Sequence, residues 1–216
     1  NGRRRQRQMC IRDRSNAAFI TGLYMVLVPI FGVFLGRKTS ANAWVGSGLA
    51  CIGLYFLSVG ESLNIGFGDS LLLVGAVCWA AHILVIDHFT KKVPPLLIAL
   101  GQFIVCGVMG LIVSSIFEST SWEDTIEAKY ILIYAGLITV GVAYTLQVVA
   151  QEKAHPTHAA IILSLEAVFG AAGGYAFLNE VLTSREFLGC CLMLLGMLCS
   201  QVSLKDLRQS FSSRHS

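Results

Sequence analysis

An all-α integral membrane protein is the fold class this sequence predicts, on three observations. Apolar types make up 55% of the 216 residues and charged types only 13%, about half the charged share of a soluble domain. The apolar residues fall in runs long enough to cross a bilayer core as helices, which takes about 20 residues. The charge gathers in the short segments between those runs. No β-barrel alternation is visible, so helices are expected to satisfy the backbone inside lipid.

Seven spans are expected, at about 16–35, 42–59, 69–89, 95–117, 129–150, 157–178 and 185–203. Pro29 lies inside the first and predicts a kink there. The second carries Gly46 and Gly53, seven apart, and the last carries Gly189 and Gly196 at the same spacing. Such small residues predict close helix contact. The third span sets Trp79 and His82 three residues apart on one face, with Asp87 and His88 near its end, where solvent is expected to reach them. Pro94, Pro95 and Pro156 stand at helix starts, where a missing N–H costs little. In the sixth span Ala167, Gly170, Ala171 and Gly174 form a second small-residue ridge. Trp44 and Trp122 suit the aromatic belts at the membrane surfaces.

Lysine and arginine predict orientation. Basic linkers hold Arg37 with Lys38, Lys91 with Lys92, and Lys153. The tail after residue 203 holds Lys205, Arg208 and Arg214. Acidic linkers hold Glu61, the group Glu118, Glu123, Asp124 and Glu127, and then Glu180. The alternation puts the C-terminus, with its tail 204–216, in the cytoplasm. Seven spans would then place the N-terminus outside. Residues 3–14, however, carry six arginines, a run that belongs in the cytoplasm. Segment RQRQMCIRDR has no helical periodicity and resembles a translated adapter. Residues 1–14 are therefore expected to be a non-native or disordered basic segment.

An internal repeat offers a second way out of that conflict. Ser15–Arg37, SNAAFITGLYMVLVPIFGVFLGR, lies over Thr157–Asn179, THAAIILSLEAVFGAAGGYAFLN, without a gap. Ala17, Ala18, Leu23, Val26 and Gly32 match Ala159, Ala160, Leu165, Val168 and Gly174. At an offset one larger, Gly46, Leu49 and Gly53 match Gly189, Leu192 and Gly196. The copies begin five spans apart, an odd number, so they point in opposite directions across the membrane. Inverted-topology repeats of this kind are typical of secondary transporters. Residues 15–59 then read as the last two helices of a first repeat and 69–203 as a complete five-helix second repeat. Seven helices of an expected ten are present, and about three spans are expected before residue 15.

At these residues the chain resembles the EamA-type members of the drug/metabolite transporter superfamily. AAIILSLEAVFGAAGGYAFLNE is similar to the helix that closes the second repeat, and NAAFITGLYMVLVPIFGVFLGRK to its counterpart in the first. GDSLLLVGAVCWAAHILVIDHF resembles the helix that opens the second repeat. The likeness runs over about residues 15–205. One departure is Ala167, where the family commonly has proline after the glutamate, and this weakens the expectation of a kink beside Glu166. The resemblance implies a ten-helix carrier of small organic solutes, often an exporter of metabolites or amino acids.

Glu166 interrupts the apolar run ILSLEAVFG close to mid-span. A lone charge at that depth costs about 2.5–3.5 kcal/mol even on lenient insertion scales. Three roles are open to it: a hydrogen-bond anchor between helices, a group lining a solute cavity, or a proton-coupling site. Carboxyl groups taken out of water hold their protons more tightly, which makes the third chemically available. Its counterpart in the first copy, Tyr24, does not share that chemistry. With Glu166, the expected substrate-binding residues are His82, Trp79, Tyr24, Gln102, Tyr144 and Gln147, lining one cavity. His82 adds an imidazole, a side chain able both to donate and to accept a hydrogen bond.

The remaining features narrow the function classes. The net charge of +3 is small and dispersed, so no nucleic-acid partner is expected. Seven cysteines show no CxxC pair or Cys/His metal spacing, and neither metal nor cofactor is expected. No P-loop, GxSxG or HExxH occurs, so an ATP-driven pump and an enzyme are not expected. All six lysines lie at span ends or in loops, which disfavours a retinal protein. The expectation is a secondary transporter exporting a small organic solute by alternating access. Its partners would be the solute, the lipid bilayer and protons as coupling ion, and its place a cell membrane of the bacterial inner-membrane type. The alternatives are a seven-helix receptor or an intramembrane enzyme.

Overall fold

A computed structural model of the protein describes residues 17–58, 67–117, 122–178 and 181–201. Residues 1–14, the tail 204–216, Glu61, Glu118, Glu180 and the side chains of Trp122 and Asp124 lie outside the described residues. Among the described residues every regular element is a helix. We number them α1 (Ala17–Phe34), α2 (Ala41–Ser58), α3 (Phe67–Phe89), α4 (Pro95–Phe117), the short α5 (Trp122–Glu127), α6 (Lys129–Gln151), α7 (Pro156–Phe177) and α8 (Ser184–Gln201). Six of them, all but α5 and α8, are long and apolar enough to cross a membrane. The seventh expected span, α8, is a continuous helix, but Arg185 and Glu186 occupy its first turn and Gln201 its last.

Helix ends follow local chemistry. Gly36, at φ 72°, closes α1. Its N–H reaches the Val33 carbonyl and the Arg37 N–H reaches the Gly32 carbonyl, both at 2.9 Å, the paired bonds of a Schellman cap. The Ser40 hydroxyl accepts the Ala43 N–H at the start of α2. At the start of α8 the Thr183 hydroxyl accepts the Glu186 N–H at 3.3 Å, and the Glu186 carboxylate accepts the Thr183 N–H at 2.7 Å. This is a reciprocal capping box.

The helices form two compact units, described separately. The first contains the chain up to Leu84 and from Pro156 onward. In it α1 packs on α2 and on the first half of α7, and α2 runs along α8. Its core gathers Tyr24, Met25 and Val28 from α1, Leu54 from α2, Ala80 and Ile83 from α3, Ile161 and Leu165 from α7, and Met193 from α8. The α2–α8 contact is backbone to backbone. A Cβ on Gly46 would sit 2.5 Å from the Gly196 carbonyl oxygen, and one on Gly53 would sit 2.7 Å from that of Gly189. Only glycine permits this approach at both crossings. Beyond them the Arg185 guanidinium lies over the rings of Tyr55 and Phe56, at 5.5 and 5.7 Å. In the second expected ridge Ala167 packs on the core and Gly174 is buried, while nothing lies within 4 Å of a Cβ built on Gly170.

Two helices of this unit are interrupted. In α1 the Leu23 N–H bonds back three residues to the Ile20 carbonyl; in α7 the Leu165 N–H does the same to Ile162. The bonds span 3.2 and 3.1 Å, and each replaces a four-residue helical bond with one tight turn. Hydroxyls just before each break compete for backbone carbonyls: Thr21 bonds the Ala17 carbonyl and Ser164 the Ile161 carbonyl, both at 2.7 Å. Such back-bonding bends helices. Leu23 and Leu165 occupy matched positions at the 142-residue offset. Pro29, the expected kink site, lies inside an unbroken helical stretch, Tyr24–Phe34.

The second unit is Val85–His155. Here α4 packs on the last turns of α6, around Ile86, Ala99 and Val148. The middle of α6, Tyr134–Tyr144, is wound as a π-helix before α-helix resumes at Thr145. Most large apolar side chains of α4 and α6 are exposed, among them Leu97, Ile104, Leu111, Ile131 and Leu137. Such faces do not persist in water; lipid tails solvate them.

Candidate functional site

Three of the ring-bearing residues expected at the site, Tyr24, Trp79 and His82, come together. In the first unit the Tyr24 and Trp79 rings meet edge to face with centroids 6.4 Å apart, and Trp79 lies against His82 at 5.3 Å. Tyr24 follows immediately on the Leu23 break and is buried to 3% exposure. Trp79 and His82 share a face of α3 because they are three residues apart. The row thus links mid-α1 to mid-α3 through π contacts, with ring polar groups held in an otherwise apolar core.

Glu166 is the first residue of the second half of α7, immediately after the Leu165 break. It lies about 15 Å along a helix of bilayer length, counting 1.5 Å per residue, hence at mid-depth. Leu165 and Ala167 on either side pack into the same core cluster as Tyr24 and Trp79. As a residue Glu166 is exposed. Among the described residues it has no hydrogen bond or ion pair, so the interhelical anchor considered from the sequence finds no second group here. Its position on the opening turn of a half-helix is favourable for negative charge, since the positive end of the helix dipole lies there. The break also occurs without the family's usual proline.

Three expected residues belong to the second unit. Gln102 on α4 and Tyr144 on α6 are half-buried, and Gln147 on α6 is buried. Tyr144 closes the π-helical stretch and Gln147 sits in the α-helical turn after it.

Sequence reading missed two buried polar residues in this unit. Gln151, placed in a linker, is the last residue of α6 and only 2% exposed. Asp87, expected to be reached by solvent, is also 2% exposed; its carboxylate pairs with Lys91 at 3.1 Å, and Lys91 carries the exposed end of the pair. The i, i+4 spacing of Asp87 and Lys91 was the available signal. His88 is exposed, 2.9 Å from the Lys92 ammonium. Among the described residues no group of three or more His, Cys, Asp or Glu side chains could hold a metal ion.

Comparison with known proteins agrees with this architecture. A family model described as the EamA-like transporter family matches residues 66–201. An uncharacterized transporter of Archaeoglobus fulgidus is 33% identical over 185 residues, covering 85% of this chain and 59% of that protein. The threonine/homoserine exporter RhtA of Salmonella typhimurium is 23% identical over 176 residues, covering 80% of this chain and 58% of that one. The uncharacterized transporter YwfM of Bacillus subtilis is 28% identical over 168 residues, covering 76% and 56%. The chain therefore spans about three-fifths of the length of the curated relatives it matches. One crystal structure of a protein superposes with a TM-score of 0.76 at 16% identity, over 89% of this chain and 69% of that one, and shares the fold. With its apolar helices and a family match over most of its length, the chain belongs to the EamA-like transporter family.

Proposed function

We propose that this transporter is a secondary carrier that exports a small organic solute by alternating access, with Glu166 at the centre of its path. The observation that carries the reading is a mid-depth carboxylate with no partner in the described chain. A bilayer does not tolerate such a group facing lipid. It needs a solute, a proton or a water-filled cavity. Its place at the start of a half-helix, beside the Tyr24–Trp79–His82 row, resembles the discontinuous helices around which other carriers bind substrate. Gln102, Tyr144 and Gln147 are proposed as further solute contacts.

The two matched helix pairs support inverted repeats. Both α1 and α7 break at the equivalent residue. The glycine crossings also obey the symmetry: Gly46 meets Gly196 while Gly53 meets Gly189, the exchange that a two-fold axis between matched helices produces. Basic linkers support a cytoplasmic C-terminus in a bacterial-type inner membrane. The name of the Salmonella relative makes amino acids with hydroxylated side chains the first solutes to try. Protons are the proposed coupling ion, exchanged at Glu166.

Uptake of labelled L-threonine and L-homoserine into everted membrane vesicles, with and without a pH gradient, tests this. Flux is expected in the wild type, and its stimulation by the gradient is expected to vanish in Glu166→Gln. No flux across these and a broad metabolite panel would overturn the reading.

A further inference from the structure

Gln147 and Gln151 stand four residues apart on the last turns of α6, so their side chains share one face. Gln147 is 9% exposed and Gln151 2%. The Gln147 Nε2 and both amide atoms of Gln151 are fully buried and make no hydrogen bond among the described residues. Leaving such a group unsatisfied forfeits the hydrogen bonds it makes in water. Such groups are few in native structures, and each calls for a specific partner or role. Leucine or methionine would fill the same volume without the cost.

The two residues close a span. Gln151 is the last residue of α6, and the chain turns away through Glu152 and the exposed Lys153. The pair therefore lies in the last turns of the span, at its membrane-surface end. Neither side chain is ionised. Two carboxamides that both donate and accept match a neutral group that does the same.

We propose that Gln147 and Gln151 form a recognition station at the membrane edge for a neutral donor–acceptor group of the solute, a hydroxyl or a carboxamide. This rests on the carrier reading above and adds to it a residue, a location and a selectivity.

The test is competition between L-serine, L-asparagine and L-alanine for the carrier in proteoliposomes, read as kcat/KM. L-Alanine lacks the hydrogen-bonding side-chain group. The wild type is expected to favour serine or asparagine over alanine by about tenfold or more. In Gln151→Leu and Gln147→Leu this ratio is expected to fall towards one, through KM, with the unfolding midpoint unchanged or raised. An unchanged ratio in both variants overturns the proposal, as does a lowered midpoint with an unchanged ratio, which would mark the amides as structural. If the wild type moves none of the three, the carrier reading fails for amino acids, and thermal-shift titration of the solubilised protein with L-serine decides the site. A saturable shift abolished by Gln151→Leu supports it; no shift in the wild type overturns it.

Discussion

The Ser47 hydroxyl donates a buried hydrogen bond of 2.7 Å to the Met25 carbonyl oxygen. That carbonyl is the one Pro29 leaves free. In a continuous helix the N–H of residue 29 would bond the carbonyl four residues earlier, and proline has no N–H. The orphaned acceptor is satisfied from the neighbouring helix, tying α2 to α1. Ser47→Ala is expected to cost about 1 kcal/mol. In a Pro29→Ala background, where the intrahelical bond can form, the same substitution is expected to cost markedly less. Unfolding midpoints of the four proteins of this double-mutant cycle in detergent check it; equal costs in both backgrounds would show that Pro29 and Ser47 are not coupled.

The glycine crossings make a separate prediction. A methyl group on Gly46 meets backbone, the Gly196 carbonyl, and not a side chain that can swing aside. Gly46→Ala and Gly196→Ala are each expected to destabilise by about 1–3 kcal/mol. Gly48→Ala, on the same helix with nothing within 4 Å, is the control and is expected to stay within about 0.5 kcal/mol of wild type. Thermal unfolding followed by size-exclusion chromatography separates the two cases.

At the start of α8, Thr183→Ala removes the hydroxyl that accepts the Glu186 N–H and contacts the Glu186 carboxylate. A loss of about 1 kcal/mol is expected. Glu186→Ala removes the other half of the box, and the double variant is expected to lose less than the sum of the two. Additive losses in the unfolding midpoint would mean the two side chains cap independently.

Glu166 is predicted to separate function from stability. It has no partner among the described residues, so Glu166→Gln is expected to leave the unfolding midpoint nearly unchanged, within about 0.5 kcal/mol. Transport is expected to lose its dependence on the pH gradient. A large fall in the midpoint would instead assign the carboxylate to the scaffold.

Trp79 links the aromatic row. Trp79→Phe keeps a ring against Tyr24 and is expected to retain most transport, whereas Trp79→Ala opens the core between α1 and α3 and is expected to destabilise by about 3–5 kcal/mol. Equal behaviour of the two variants in folding and flux would show that the ring contacts carry neither.

The sequence by itself determined the helices, since 20-residue apolar runs have no other way to satisfy their backbone in lipid. It determined the placement of proline at the starts of α4 and α7, where the missing N–H is harmless. It also determined the pairing of Trp79 with His82, because three-residue spacing puts side chains on one helix face whatever surrounds them. Other features needed the fold. At Pro29 the helix continues without a break, with the freed carbonyl taken up by Ser47, 18 residues later, and the breaks fall at Leu23 and Leu165, where hydroxyls compete for backbone carbonyls. The burial of Asp87 and Gln151 depends on which helices pack over a span end, and charge and periodicity carry no information about that. The spacing of Gly46, Gly53, Gly189 and Gly196 announced close contact, but which glycine meets which is a distance between helices far apart in the chain. Local sequence decides what a segment becomes, because backbone hydrogen bonding and side-chain spacing are short-ranged; tertiary packing alone decides which polar group a neighbour satisfies and which it leaves without a partner.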